Sequence, residues 1–233
     1  MSFIRFFFIV VLLSVITSCV NTIDGNGNVV REERTVTSFR EIEISGGFEV
    51  LLNQGKEEKL ELEVDENLLE LIQTESKNNK LVIKSGKNIG KAKSLKLYIT
   101  VVELEDMDVS GAVTLNNKGT FEGDHLSIEI SGAADVDLKL DLEELSMDMS
   151  GASETTLAGK ANHFEIELSG AGELNAEKLK TRNAIIDISG AGSATVHAKK
   201  TLNVEVSGAG SVQYKGNPKV TKSISGAGSV KKL

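Results

Sequence analysis

The tripeptide Ser-Gly-Ala occurs seven times in the C-terminal half of this chain, starting at Ser110, Ser131, Ser150, Ser169, Ser189, Ser207 and Ser225. Successive steps are 21, 19, 19, 20, 18 and 18 residues. A unit of about twenty residues buries little on its own, so each must stack on its neighbours, which is the constraint that produces a solenoid. Counting back from each serine, positions −5, −3 and −1 are apolar: Leu126/Ile128/Ile130, Leu145/Met147/Met149, Phe164/Ile166/Leu168, Ala184/Ile186/Ile188 and Leu202/Val204/Val206. Period two with one apolar face is the signature of a strand, not a helix. A second strand follows the tripeptide, with apolar positions at +5 and +7: Val136/Leu138, Thr155/Leu157, Leu174/Ala176, Ala194/Val196 and Val212/Tyr214. Each coil then holds two strands and a shorter, variable third side, stacked in parallel about 4.8 Å apart. The expected fold is all-β, a right-handed parallel β-helix with coils of about 18–21 residues. Its hand follows the bias of parallel crossovers, and the variable coil length argues against a left-handed hexapeptide helix.

The corner chemistry fits this reading. Gly111, Gly132, Gly151, Gly170, Gly190, Gly208 and Gly226 follow the serines, where a strand can bend sharply through a positive φ. The alanine after each glycine is expected to fit a crowded corner, and the stacked serine hydroxyls are expected to hydrogen-bond along their column. One proline, no tryptophan and 22 glycines suit many short strands joined by tight turns.

The N-terminus carries a different signal. Arg5 precedes an apolar run from Phe6 to Ile16, broken only by Ser14 and followed by Ile16-Thr17-Ser18-Cys19. The run is short for a bilayer-spanning helix and has the length of a signal-peptide core. A branched apolar residue three places before the only cysteine, with small residues between, resembles a bacterial lipobox. Residues 1–18 therefore read as a signal peptide, with Cys19 as the lipidation site and residues 19–35 as a lipidated cysteine plus tether. Several acyl chains would hold the protein on a membrane. The domain itself reads as residues 36–233, with irregular coils over 36–103 and regular Ser-Gly-Ala coils over 104–233. In the irregular part, Glu66 to Ser76 fits either a single helical turn capped by Asp65 or a strand. The lysines of the final coil, Lys222 among them, read as protection of an exposed sheet end.

Two outward columns are candidate sites. At −2 stand Asp108, Glu129, Asp148, Glu167, Asp187 and Glu205, an acidic ladder to which Glu43 is aligned. Neighbouring carboxylates one coil apart repel by about 1 kcal/mol in water, so the ladder is tolerable but not free. A Ca²⁺ ion wants six to eight oxygens, so a flat ladder offers only weak binding, and no other cofactor is expected. At −6 stand His125, Glu144 and His163, residue types that suit zinc if they converge. A formal charge of −8 and the lack of an evident basic stripe argue against a nucleic-acid partner. No Ser/His pair or strand-to-helix phosphate loop is evident, so no catalytic residues are assigned. β-Helices do host polysaccharide lyases, but Arg182 is the only arginine of the repeat region, and no loop insertion builds a cleft around it.

The segment GNGNVVREERTVTSFREIEISGGFEVLLNQG (residues 25–55), VDENLLELI (64–72) and the terminal SISGAGSV resemble the head GIN domain family, whose members carry the label auto-transporter adhesin. The resemblance implies a β-helical envelope domain, commonly on a lipoprotein, with no catalytic residues to carry over. The resulting expectation is a non-enzymatic, exported, outer-membrane lipoprotein, periplasmic or surface-facing, acting in adhesion or as a scaffold. Its partners would be the membrane, through the lipid, and a protein or glycan. A polysaccharide-binding or -processing protein is the alternative, with a weak divalent-cation binder as a third.

Overall fold

In the computed structural model the described residues are 22–233; Cys19 and the expected signal peptide lie outside them. The chain folds into a β-solenoid of about seven turns, with strands stacked in parallel. Five long strands form most of the regular coils: β10 (Phe121–Gly132), β11 (Asp135–Gly151), β12 (Glu154–Gly170), β13 (Glu173–Gly190) and β14 (Ser193–Gly208). Each runs along more than one side of a coil and pairs with its successor in parallel. The −5, −3 and −1 residues and the +5 and +7 residues of these coils are buried, as the period-two reading requires; Tyr214 is only partly so. Aligned coils keep like over like: Ile128 on Met147, Met147 on Ile166, Ile166 on Ile186, Ile186 on Val204.

At the corners, Gly151 shows why no other residue serves. Its φ is +108°, and a Cβ there would lie 2.4 Å from the carbonyl oxygen of Gly132 in the preceding coil. That carbonyl accepts the N–H of Ala152 at 3.0 Å, so the corner is itself a rung of the backbone ladder. Two expectations need correction here. The +2 alanines, such as Ala152 and Ala171, are exposed; crowding falls one residue later, at Ser153 and Gly172, where the chain faces inward again after the exposed corner glycines Gly151 and Gly170. The serine hydroxyls do not link to each other either. Those of Ser110 and Ser150 donate to the backbone carbonyls of Ile44 and Ile130, at 3.4 Å each.

The N-terminal part combines irregular coils with an antiparallel cap. Its elements are β1 (Val29–Arg34), β2 (Glu41–Gly46), β3 (Glu49–Gln54), β4 (Lys59–Asp65), a 3₁₀ turn (Glu66–Leu71), β5 (Ile72–Lys77), β6 (Lys80–Ser85) and β7 (Leu95–Val101). They lead into β8 (Asp106–Gly111) and β9 (Thr114–Lys118). Coils stack out of chain order: β2 lies between β6 and β8, and β3 between β7 and β9. Three antiparallel strands then cover the outer side, β5 on β6, β4 on β7 and β1 on β4. Part of the expected tether, Val29–Arg34, is therefore a strand of the domain. The Glu66–Ser76 stretch is both things expected of it, a 3₁₀ turn followed by a strand. Asp65 does not cap that turn with its side chain. Its buried carboxylate instead accepts backbone N–H groups of Gly27 (3.1 Å), Lys93 (3.2 Å) and Ser94 (3.3 Å), clasping three segments together.

At the opposite end, β15 (Ser211–Lys215), β16 (Lys219–Gly226) and β17 (Ser229–Lys232) form the last coil positions. Lys222 aligns with Val204 of the core column yet is exposed, and Ile224 is exposed beside it.

Candidate functional site

The parallel register sets every outward column. Glu43, Asp108, Glu129, Asp148, Glu167, Asp187 and Glu205 are aligned in successive coils, an unbroken acidic ladder. At its base Lys80 reaches Glu43 at 2.8 Å, and that hydrogen bond raises the lysine's pKa. Partial burial, and then the negative charge of Glu43, push the Asp108 carboxyl above the ordinary aspartate range. From Glu129 to Glu205 no carboxylate of the ladder has a salt-bridge partner among the described residues.

His125, Glu144 and His163 also align, His125 on Glu144 and Glu144 on His163. The His125 Nδ1 lies 3.6 Å from Glu144, whereas the His163 ring approaches the Asn183 amide at 3.5 Å. Among the described residues no three His, Cys, Asp or Glu side chains are grouped to hold a metal ion. A ladder with side chains roughly parallel spreads its donors instead of converging them, and that holds for both columns.

A cleft of about 750 Å³ lies where the chain steps from β7 to β8, lined by Arg40, Gln54, Glu103, Glu105, Glu122 and His125 among others. Arg40 bridges Glu103 (2.7 Å) and Glu105 (2.6 Å), and the Glu105 hydrogen bond raises its pKa further. Gln54 donates to the carbonyls of Val102 (3.3 Å) and Glu122 (2.8 Å) and accepts the Glu122 N–H (2.9 Å). These groups already satisfy each other, so the cleft reads as a stitched seam.

The third side of the coils holds what the sequence reading missed. Lys160, Asn162, Lys180, Thr181, Arg182, Lys199 and Lys200 line a groove of about 370 Å³. Basic residues that seemed scattered are collected there, so a basic stripe does exist, and Arg182 has a cleft made without any loop insertion. The four phenylalanines of the described core, Phe39, Phe48, Phe121 and Phe164, are buried, so none offers a sugar-stacking platform. No helix among the described residues is long and apolar enough to cross a membrane.

Over residues 38–218 the chain matches the family described as putative auto-transporter adhesin, head GIN domain. The chain belongs to this family. Among solved structures, the head GIN chain is similar to a putative adhesin from Bacteroides fragilis, with 23% identity, a TM-score of 0.84, and coverage of 91% of this chain and 100% of that one. A putative lipid binding protein from Parabacteroides distasonis matches at 23% identity and a TM-score of 0.75, over 91% and 100% of the two chains. A putative adhesin from Parabacteroides merdae matches at 22% identity and a TM-score of 0.68, over 91% and 99%. At such identities the head GIN solenoid is what these likenesses establish. Curated proteins give no match.

Proposed function

We propose that this head GIN protein is a non-enzymatic, lipid-anchored solenoid of the cell envelope that acts in adhesion, presenting its outward columns to a partner. The observation that carries this reading is the stacked solenoid, whose register sets outward side chains in parallel ladders. Ladders suit extended, repetitive contact, whereas catalysis needs groups aimed at one reacting atom. Membership in a family described as adhesins supports an exported or surface setting. The lipobox at Cys19 supports attachment to the outer membrane.

Protease treatment of intact cells tests the placement. Digestion of the solenoid from outside is expected. Protection until the envelope is opened would make it a periplasmic scaffold and end the adhesion reading. The anchor has its own test: Cys19→Ala should move the protein from the membrane to the soluble fraction, and a variant that stays membrane-bound refutes lipidation there.

A further inference from the structure

Strand register builds the basic groove. Along the third side Lys160 aligns with Lys180, and Lys180 with His197. Two residues on, Asn162 lies between Ala161 and His163, which align with Thr181 and Asn183 on either side of Arg182. Between β13 and β14 the register slips: Thr181 aligns with Ala198 and Asn183 with Thr201, so Arg182 alone faces both Lys199 and Lys200. A bulge of this kind re-aims side chains and is frequent beside functional sites. Thr181, buried beneath the groove, donates its hydroxyl to the His197 carbonyl at 3.0 Å and ties β13 to β14.

Neighbouring carboxylates are already engaged. Asp141 pairs with Lys160 at 3.0 Å, Glu143 accepts from the Asn162 amide at 2.6 Å, and Glu177 pairs with Lys215. No carboxylate lines the groove, and Lys180, Arg182, Lys199 and Lys200 are exposed with no salt-bridge partner among the described residues. Four uncompensated cations are thus concentrated on one face of a chain with formal charge −8.

We infer that this groove binds a linear acidic polysaccharide, the carboxylates of successive sugars meeting cations on successive coils. The inference rests on the adhesion reading and gives it a ligand class. Cations spaced along the solenoid axis by about one coil rise of 4.8 Å suit an extended polymer with regularly repeated charge. Arg182 supplies the planar fork that holds a carboxylate through two hydrogen bonds, and the lysines act as point charges. Asn162 is placed for sugar hydroxyls. A planar anionic bilayer fits less well, because the ladder of Glu167, Asp187 and Glu205 occupies another side of the same coils and would repel it. The lining has no apolar side chain to enter a bilayer and no aromatic ring to stack on a base. An acidic peptide finds no free strand edge there, since β12, β13 and β14 spend their backbone groups on each other.

The test is direct binding of the full-length protein in detergent to oligogalacturonate, with dextran of matched length as the neutral control. Binding is expected for the acidic oligomer alone and should weaken as salt is raised. The triple substitution Lys180→Gln, Arg182→Gln, Lys199→Gln should weaken it on the order of tenfold with an unchanged melting temperature. Glu167→Gln with Asp187→Gln should leave it intact or tighten it. Absence of binding, equal binding of dextran, or indifference to the triple substitution overturns the inference. So does preference for phosphatidylglycerol vesicles or single-stranded DNA over the oligosaccharide. Failure of the adhesion reading is distinguishable: a protein that binds oligogalacturonate yet is protease-protected on cells keeps its groove and loses its surface location.

Discussion

A single methyl group at Gly151 should undo a corner. Gly151→Ala would force an alanine to φ +108° and set its Cβ against the Gly132 carbonyl, a backbone atom that cannot swing away. The expected cost is about 3 kcal/mol or more, read by chemical denaturation, whereas Ala152→Ser on the exposed neighbour should stay within about 0.5 kcal/mol. Asp65 makes a prediction about acid. Burial alone pushes its carboxyl up, but three backbone N–H donors outweigh burial and hold it below the ordinary aspartate range. A depressed folded pKa means the stabilisation is complete above the unfolded value of about 3.9 and is lost as pH falls through the folded value. Asp65→Asn should therefore lower stability at pH 7, and the gap to the parent protein should close as pH falls through the depressed folded value. A gap that persists undiminished in acid would show that the carboxylate charge is not what holds the clasp. The corner glycines were legible in the sequence because their spacing repeats. The Asp65 clasp was not, since its partners lie 38, 28 and 29 residues away and none recurs.

At the scale of strands, what could be read depended on whether a strand repeats. The −5/−3/−1 and +5/+7 patterns placed two sides of every regular coil, whereas the corner between them breaks the alternation: Gly170 and Ala171 are both exposed and Gly172 is buried. The third side resisted because coils differ in length there and the register slips three times, at Thr156/Ala158 of β12 and at Ala176/Lys180 and Thr181/Asn183 of β13. Lys160 and Lys180 nevertheless stand at the same offset, nine residues before Ser169 and Ser189, a signal that extending the column count would have caught. The cap was opaque for another reason: alternation in Leu60-Glu61-Leu62 is the same whether a strand pairs in parallel or antiparallel. Leu62, fully buried in β4, aligns with Leu97 of β7 and faces the end of the core. Leu62→Ala should cost about 2–5 kcal/mol, and hydrogen exchange should quicken first in β7, whose outer edge β4 protects.

Across the whole molecule, charge is laid out by side, acidic on one and basic on another. Unpaired carboxylates one coil apart make the fold pay a standing electrostatic penalty that ions can screen. Melting temperature should therefore rise as salt is raised from 20 to about 200 mM, and Glu167→Gln at the middle of the ladder should add up to about 1 kcal/mol and flatten that dependence. A melting temperature that falls with salt would mean the ladder is not a net burden. The out-of-order stacking has a further consequence, in time rather than in energy. As a chain emerges N-terminus first, the β2–β3 coil has no partner until β6 and β7 arrive, so nothing solenoidal can set until about residue 101 is out. Once it does, one end is closed by β1, β4 and β5, and the other presents a finished template. Each later coil is then added by a segment of 18 to 21 residues onto an edge already formed, so assembly runs in one direction and keeps step with delivery of the chain.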